Sequence, residues 1–155
     1  MKIHTHDVVQ IIFLVIGILV TVAAVLFIVF RLLFRAMRKR RDAFLQGSLF
    51  QHAELTDGMA NYFGSQSADR MQVRGNGVLA LTGDAIVFKM YMTGTELKIP
   101  YKNIKEVTVA DSFLGKTIFK KLLQVKFITQ SGEDMAAWYV RDLAGWMQQI
   151  NNKLR

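Results

Sequence analysis

Residues 8–30 read VVQIIFLVIGILVTVAAVLFIVF, a run without a charged side chain whose only polar groups are Gln10 and Thr21. As a helix rising ~1.5 Å per residue it is about 35 Å long, enough to cross a hydrocarbon core of ~30 Å with some tilt. Arg31, Arg35, Arg38, Lys39, Arg40 and Arg41 follow at once. An apolar helix stopped by a basic cluster reads as a membrane anchor. A cleaved signal peptide has a shorter apolar region of about 7–15 residues and a small-residue cleavage site, so a retained anchor is expected here. Six basic residues after the span against Lys2 before it place the C-terminal side in the cytoplasm. The expected placement is thus a single pass through the cytoplasmic (inner) membrane with the N-terminus outside.

Working outward, residues 1–7 form an extracytoplasmic tail. His4, His6 and Asp7 there are read as ordinary polar residues and not as a metal site. Within the span, Gly17 and Thr21 make only a weak small-xxx-small pair for helix association. Residues 31–69 are expected to be a basic juxtamembrane helix and linker. Leu32, Leu33 and Phe34 interleave with the arginines, the helical pattern runs on toward Leu55, Thr56-Asp57-Gly58 breaks it, and Gly64-Ser65-Gln66-Ser67 reads as a loop. Asn61-Tyr62-Phe63 is too apolar for a pure linker and is expected to pack on the folded part.

The net charge of +8 is uneven. The six cations of residues 31–41 are explained by topology, whereas residues 42–69 carry −4. Residues 70–155 hold thirteen Lys/Arg against seven Asp/Glu, a net +6 on the folded part that suits anionic lipid, an acidic partner or plain solubility. The chain has no cysteine, which excludes disulfides, thiolate zinc sites and a cysteine nucleophile.

From about Arg70 the apolar period changes to two. Strands are expected over residues 71–74, 78–82, 85–92, 96–99 (closed by Pro100), 104–110, 122–129 and 136–140. Gly75-Asn76-Gly77, Gly83-Asp84, Thr93-Gly94 and Gln130-Ser131-Gly132-Glu133 supply turns between them. In the third strand Ile86, Phe88, Met90 and Met92 share a face. Val140, Leu143, Trp146, Met147, Ile150 and Leu154 then form one helical stripe, with Asp142 near its start to complement the helix dipole. The expected class is α+β, mainly β: an antiparallel barrel or sandwich of about seven strands, capped by a C-terminal amphipathic helix through Leu143, Trp146 and Ile150.

The strand order, the phrase Leu97-Lys98-Ile99-Pro100-Tyr101-Lys102-Asn103-Ile104 and the closing Trp146-x3-Ile150 resemble a pleckstrin-homology or GRAM-like domain over residues 70–155. With Arg74-Gly75-Asn76-Gly77-Val78-Leu79-Ala80-Leu81-Thr82 and Phe113-Leu114-Gly115-Lys116, the chain is similar to membrane-anchored bacterial proteins of this shape. The resemblance implies a fold and a bacterial setting, and no activity. The basic motif of phosphoinositide-binding members joins their first two strands. Gly75-Asn76-Gly77 takes that place in this reading, with only Arg74 beside it, which argues against tight phosphoinositide binding.

Catalysis is not expected. His52 is the only histidine beyond the anchor and lies outside the strand region, no nucleophile–base pair stands out, and Gly75-Asn76-Gly77 lacks the lysine and helix of a phosphate loop. No cofactor, metal or nucleic acid is implied. The strongest functional stretch is DSFLGKTIFKK at residues 111–121. It mixes Phe113, Leu114, Ile118 and Phe119 with Lys116, Lys120 and Lys121, a composition suited to a bilayer interface or a partner. The competing reading has Ile118 and Phe119 extend the sixth strand into the core. Arg70 and Arg74 are candidates for the same basic face. The expected function is a non-catalytic module that docks a protein partner, or serves as an accessory subunit, at the cytoplasmic membrane face. The alternative is sensing of anionic headgroups through the basic loop.

Overall fold

A computed structural model of the chain describes residues 5–47, 50, 52–67 and 74–155. It divides into two compact units, Met1–Lys39 and Arg40–Arg155. The first unit is built on α1 (Thr5–Leu45), a helix of 41 residues. Its Val9–Ala36 stretch is long and apolar enough to cross a membrane. The hydroxyl of Thr21 donates to the Gly17 carbonyl at 2.8 Å, which satisfies the one hydroxyl of the span inside its own helix. Arg31, Arg35, Arg38, Lys39, Arg40 and Arg41 all lie on the C-terminal part of α1. His4 lies outside the described residues.

The second unit holds seven antiparallel strands and a C-terminal helix: β1 (Leu55–Ser65), β2 (Gly75–Leu81), β3 (Ala85–Met90), β4 (Glu96–Pro100), β5 (Ile104–Ala110), β6 (Leu122–Thr129), β7 (Gly132–Tyr139) and α2 (Leu143–Lys153). The sheet order is β4-β3-β2-β1-β7-β6-β5, so β4 and β5 are its edges and the sheet is open between them. A single 3₁₀ turn, Tyr101–Asn103, carries the chain from one edge to the other.

The main core gathers the inner faces of both halves. Tyr62, Phe88 and Trp138 stack at ring-centroid distances of 5.0, 5.6 and 6.1 Å. α2 lies against β5 and β6, with Trp146 and Ile150 buried and Leu143 half-buried. Asp142 caps α2 by accepting from the Gly145 amide at 3.0 Å.

Three expectations change. First, the sheet begins at Leu55, inside the segment read as linker, while the strand expected at 71–74 lies outside the described residues except Arg74, which precedes β2. The Asp57-Gly58 pair that reads as a break is a bulge in β1. The buried Asp57 carboxylate accepts from the amides of Met59 and Arg141, both at 2.9 Å, and faces the Arg141 guanidinium at 3.3 Å. Turn-forming residues here bend a strand that pairs with β2 on one side and β7 on the other.

Second, Gly75-Asn76-Gly77 opens β2 and does not turn the chain. A Cβ on Gly77 would lie 2.3 Å from the Lys89 carbonyl oxygen and 2.7 Å from the Phe88 ring, so the glycine serves close packing. Gly75-Asn76-Gly77 therefore lies within β2 and not in the connection that precedes it.

Third, β3 ends at Met90, and Met92 stands 86% exposed in the following turn, where the chain has left the pleat. Outside the main core, Phe50 and Ala53 cover the outer faces of Val78, Ala80, Val87 and Tyr91. The segment just before β1 therefore belongs to the folded unit.

Candidate functional site

Two features adjoin along the second unit: the edge of β5 and the loop that follows it. Among the described residues β5 pairs only with β6, from Ile104↔Phe127 to Ala110↔Leu122. Its other backbone edge is open, and Val109 stands 47% exposed. The opposite edge is blunted. β4 ends in Pro100, Lys98 pairs with Asp84 at 2.8 Å, and Glu96 pairs with Lys89 of β3. Ion pairing with Lys98, ahead of a hydrogen bond from Thr82, also lowers the Asp84 pKa from its ordinary value.

Residues 111–121 fold into a braced loop. Phe113 and Lys116 exchange two backbone hydrogen bonds at 2.9 Å, which closes a two-residue turn at Leu114 (φ +50°) and Gly115 (φ +74°). Positive φ at both central positions is the signature of a type I′ turn, which suits Gly115 and strains Leu114. The Thr117 hydroxyl donates to the Asp111 carbonyl at 2.9 Å and accepts from the Phe119 amide at 3.0 Å. Asp111 and Lys121 clasp the loop's ends at 2.8 Å. Phe119, at φ +57°, is 96% exposed.

The residues singled out from sequence thus divide. Phe113 is buried in a small outer-face cluster with Phe63, Leu122 and Ala137, against which Ile118, Met135 and Tyr139 pack. It anchors the loop instead of forming its tip, because the tight turn folds it back onto the sheet. Ile118 is half-buried there, whereas Phe119 points away from any core, so the extension of the sixth strand through both residues does not form and β6 starts at Leu122. Leu114 is 39% exposed. Lys121 is engaged by Asp111, and Lys120, beside Phe119, donates to the Tyr139 hydroxyl at 3.3 Å.

Arg74, Asn61 and Tyr139 complete the surface. Arg74 Nε donates to Asn61 Oδ1 at 2.6 Å, and its guanidinium lies 4.2 Å from the Phe63 ring centroid. Asn61 pairs across the sheet with Tyr139, whose ring lies 5.2 Å from the Lys120 ammonium. Two cations therefore rest on aromatic rings of the cluster that anchors the loop. Arg70 lies outside the described residues. Tyr139 was not singled out from sequence, and Asn61 only as part of a segment expected to pack on the folded part, because only pairing of β1 with β7 makes them neighbours.

The buried carboxylates have structural work. Asp57 braces the bulge, and Asp134 accepts from the Ser67 amide and hydroxyl at 2.8 and 2.6 Å and from the Met135 amide at 2.7 Å. His52 is exposed, at φ +67° ahead of β1.

No protein-family model and no curated protein matches the chain. Among solved structures, a chain of the 8S snRNP assembly intermediate superposes with a TM-score of 0.50 at 8% identity, covering 66% of this chain and 82% of that one. The C-terminal domain of an unknown protein from Leishmania infantum gives a TM-score of 0.44 at 13% identity, covering 79% and 99%. At such identities the likeness concerns the fold alone.

Proposed function

We propose that this chain is a membrane-anchored, non-catalytic docking module with a pleckstrin-homology-like head. It holds a protein partner at the cytoplasmic face of the inner membrane, with its N-terminus outside. The anchor rests on the apolar Val9–Ala36 stretch, and the orientation on the basic residues that follow. The architecture rests on the strand order, with a bent β1 shared between two halves and one helix after β7. The non-catalytic reading is supported by Asp57 and Asp134, whose carboxylates are committed to backbone amides.

The observation that carries the docking function is the asymmetry of the two edges. A strand edge that meets no neighbouring strand accepts an extended segment in register, and β5 carries no proline; beyond Lys105, Glu106 and the bulge near Ile104 its residues 107–110 are uncharged. Strand addition draws on main-chain hydrogen bonds and apolar contact, so it depends little on salt. The test is a photo-crosslinking residue at Thr108 in the full-length protein in its own membranes, with and without Val109→Lys. A discrete protein adduct that survives high salt and disappears with Val109→Lys supports the reading. Adducts to lipid alone, or a protein adduct indifferent to the edge lysine, overturn it.

A further inference from the structure

We infer that the β5–β6 loop is a second membrane contact, in which Phe119 and Leu114 enter the interface of an anionic leaflet while Lys120 meets its headgroups. The inference goes beyond partner docking and rests only on the anchored part of that reading. It starts from an energetic oddity. Phe119 leaves nearly all of an aromatic side chain of about 200 Å² in water. It does so from a left-handed backbone conformation that bulky residues avoid, and Leu114, 39% exposed, shares that conformation. Neither side chain is there for the core, since Phe113 and Ile118 already fill the cluster beneath the loop.

The loop is held in this form. The Thr117 hydroxyl bridges Asp111 to Phe119, the Asp111–Lys121 pair closes its base, and Phe113 seats it on Phe63. Two apolar tips are thus presented on a backbone braced in advance, which lowers the ordering cost of contact.

Charge and connectivity choose the occupant. Lys120 sits beside Phe119 over the Tyr139 ring, and among the described residues neither Lys120 nor Arg74 forms an ion pair with a carboxylate. An aromatic tip with adjacent cations matches the boundary between acyl chains and anionic headgroups. Convex tips enter a fluid interface without a matching cavity. The stretch from Ala36 to Phe50 spans at most about 50 Å even fully extended. An anchored head therefore never leaves the neighbourhood of the leaflet, and a weak interfacial contact suffices.

The test uses full-length protein reconstituted into vesicles of phosphatidylcholine alone or mixed with phosphatidylglycerol, carrying lipids brominated near the headgroup end of their acyl chains. Phe119→Trp places a reporter at the tip, while Trp138 and Trp146, 0% and 1% exposed, are shielded in the parent. The expected result is bromine quenching of Phe119→Trp above the parent in phosphatidylglycerol vesicles, weaker in phosphatidylcholine and reduced by salt. Adding Lys120→Glu should shift the equilibrium toward the unbound head about fivefold or more. If Phe119→Trp floats with the vesicles, retains the near-ultraviolet dichroism of a folded head and is quenched no more than the parent, the inference is overturned and the tip falls to a protein partner. If the protein fails to float, the anchor itself is refuted and the inference falls with it.

Discussion

Replacing Phe119 with asparagine should make the head more stable, although it removes one of the loop's two phenylalanines. A left-handed backbone costs an ordinary L-residue roughly 1–2 kcal/mol, and asparagine tolerates it far better. What the substitution forfeits is small. With Phe119 96% exposed, only about 8 Å² of a ~200 Å² side chain is buried, worth ~0.2 kcal/mol. The Phe119 amide bond to the Thr117 hydroxyl is made by the backbone and survives. The balance is a gain of about 1 kcal/mol, or roughly 4 °C in Tm for a head of this size. The assay is thermal unfolding of detergent-solubilised full-length protein, followed by near-ultraviolet dichroism. Both tryptophans, Trp138 and Trp146, lie in the core of the head, so the signal reports that unit. An unchanged or lower Tm for Phe119→Asn would refute the claim that Phe119 is held in a strained conformation without compensating burial. A higher Tm together with lost vesicle contact would show stability given up at a working surface.

Two further predictions concern the scaffold. Gly77→Ala should destabilise the head by about 1–3 kcal/mol, because the new Cβ meets the Lys89 carbonyl and the Phe88 ring and β2 cannot close on β3 without shifting; denaturant midpoints of variant and parent check this. Tyr101 donates its hydroxyl to the Thr82 carbonyl at 2.9 Å, and burial, aided by the charges of Glu54 and Asp84, pushes its pKa up from 10.0 to about 12. Since the folded pKa lies above the unfolded one, this stabilisation is complete below pH 10 and is lost as pH rises toward 12. An alkaline series of melts should show that decline, and Tyr101→Phe should flatten it; a parent and variant that decline alike would refute the assignment.

The regular strands were legible where one face is buried and the turn chemistry is local. The alternation of Ile86 and Phe88, the Gly94 turn and the stripe of Trp146 and Ile150 are written in consecutive residues. β1 was not legible, because its Asp57-Gly58 pair carries a turn signal. The partner that turns the signal into a bulge, the Arg141 amide, lies 84 positions away in the chain. Gly75 and Gly77 mislead in the same way: glycine marks both a turn and a close approach, and only the neighbouring strand with Phe88 and Met90 tells which. In the loop, composition singled out residues but could not assign their directions. A segment outside a strand has no fixed side-chain period, so Phe113 turned inward and Phe119 outward.

What the sequence determined by itself is whatever depends on a sum over neighbours: an apolar run long enough to cross a bilayer, the basic cluster that follows it, and a mainly β unit ending in an amphipathic helix. Transfer free energy and backbone periodicity accumulate along the chain and need no tertiary partner. Which edge stays open, which aromatic faces water, and which cations share a surface were decided by the tertiary structure. Each depends on contacts between distant residues, such as Asn61 with Tyr139 and Phe63 with Phe113.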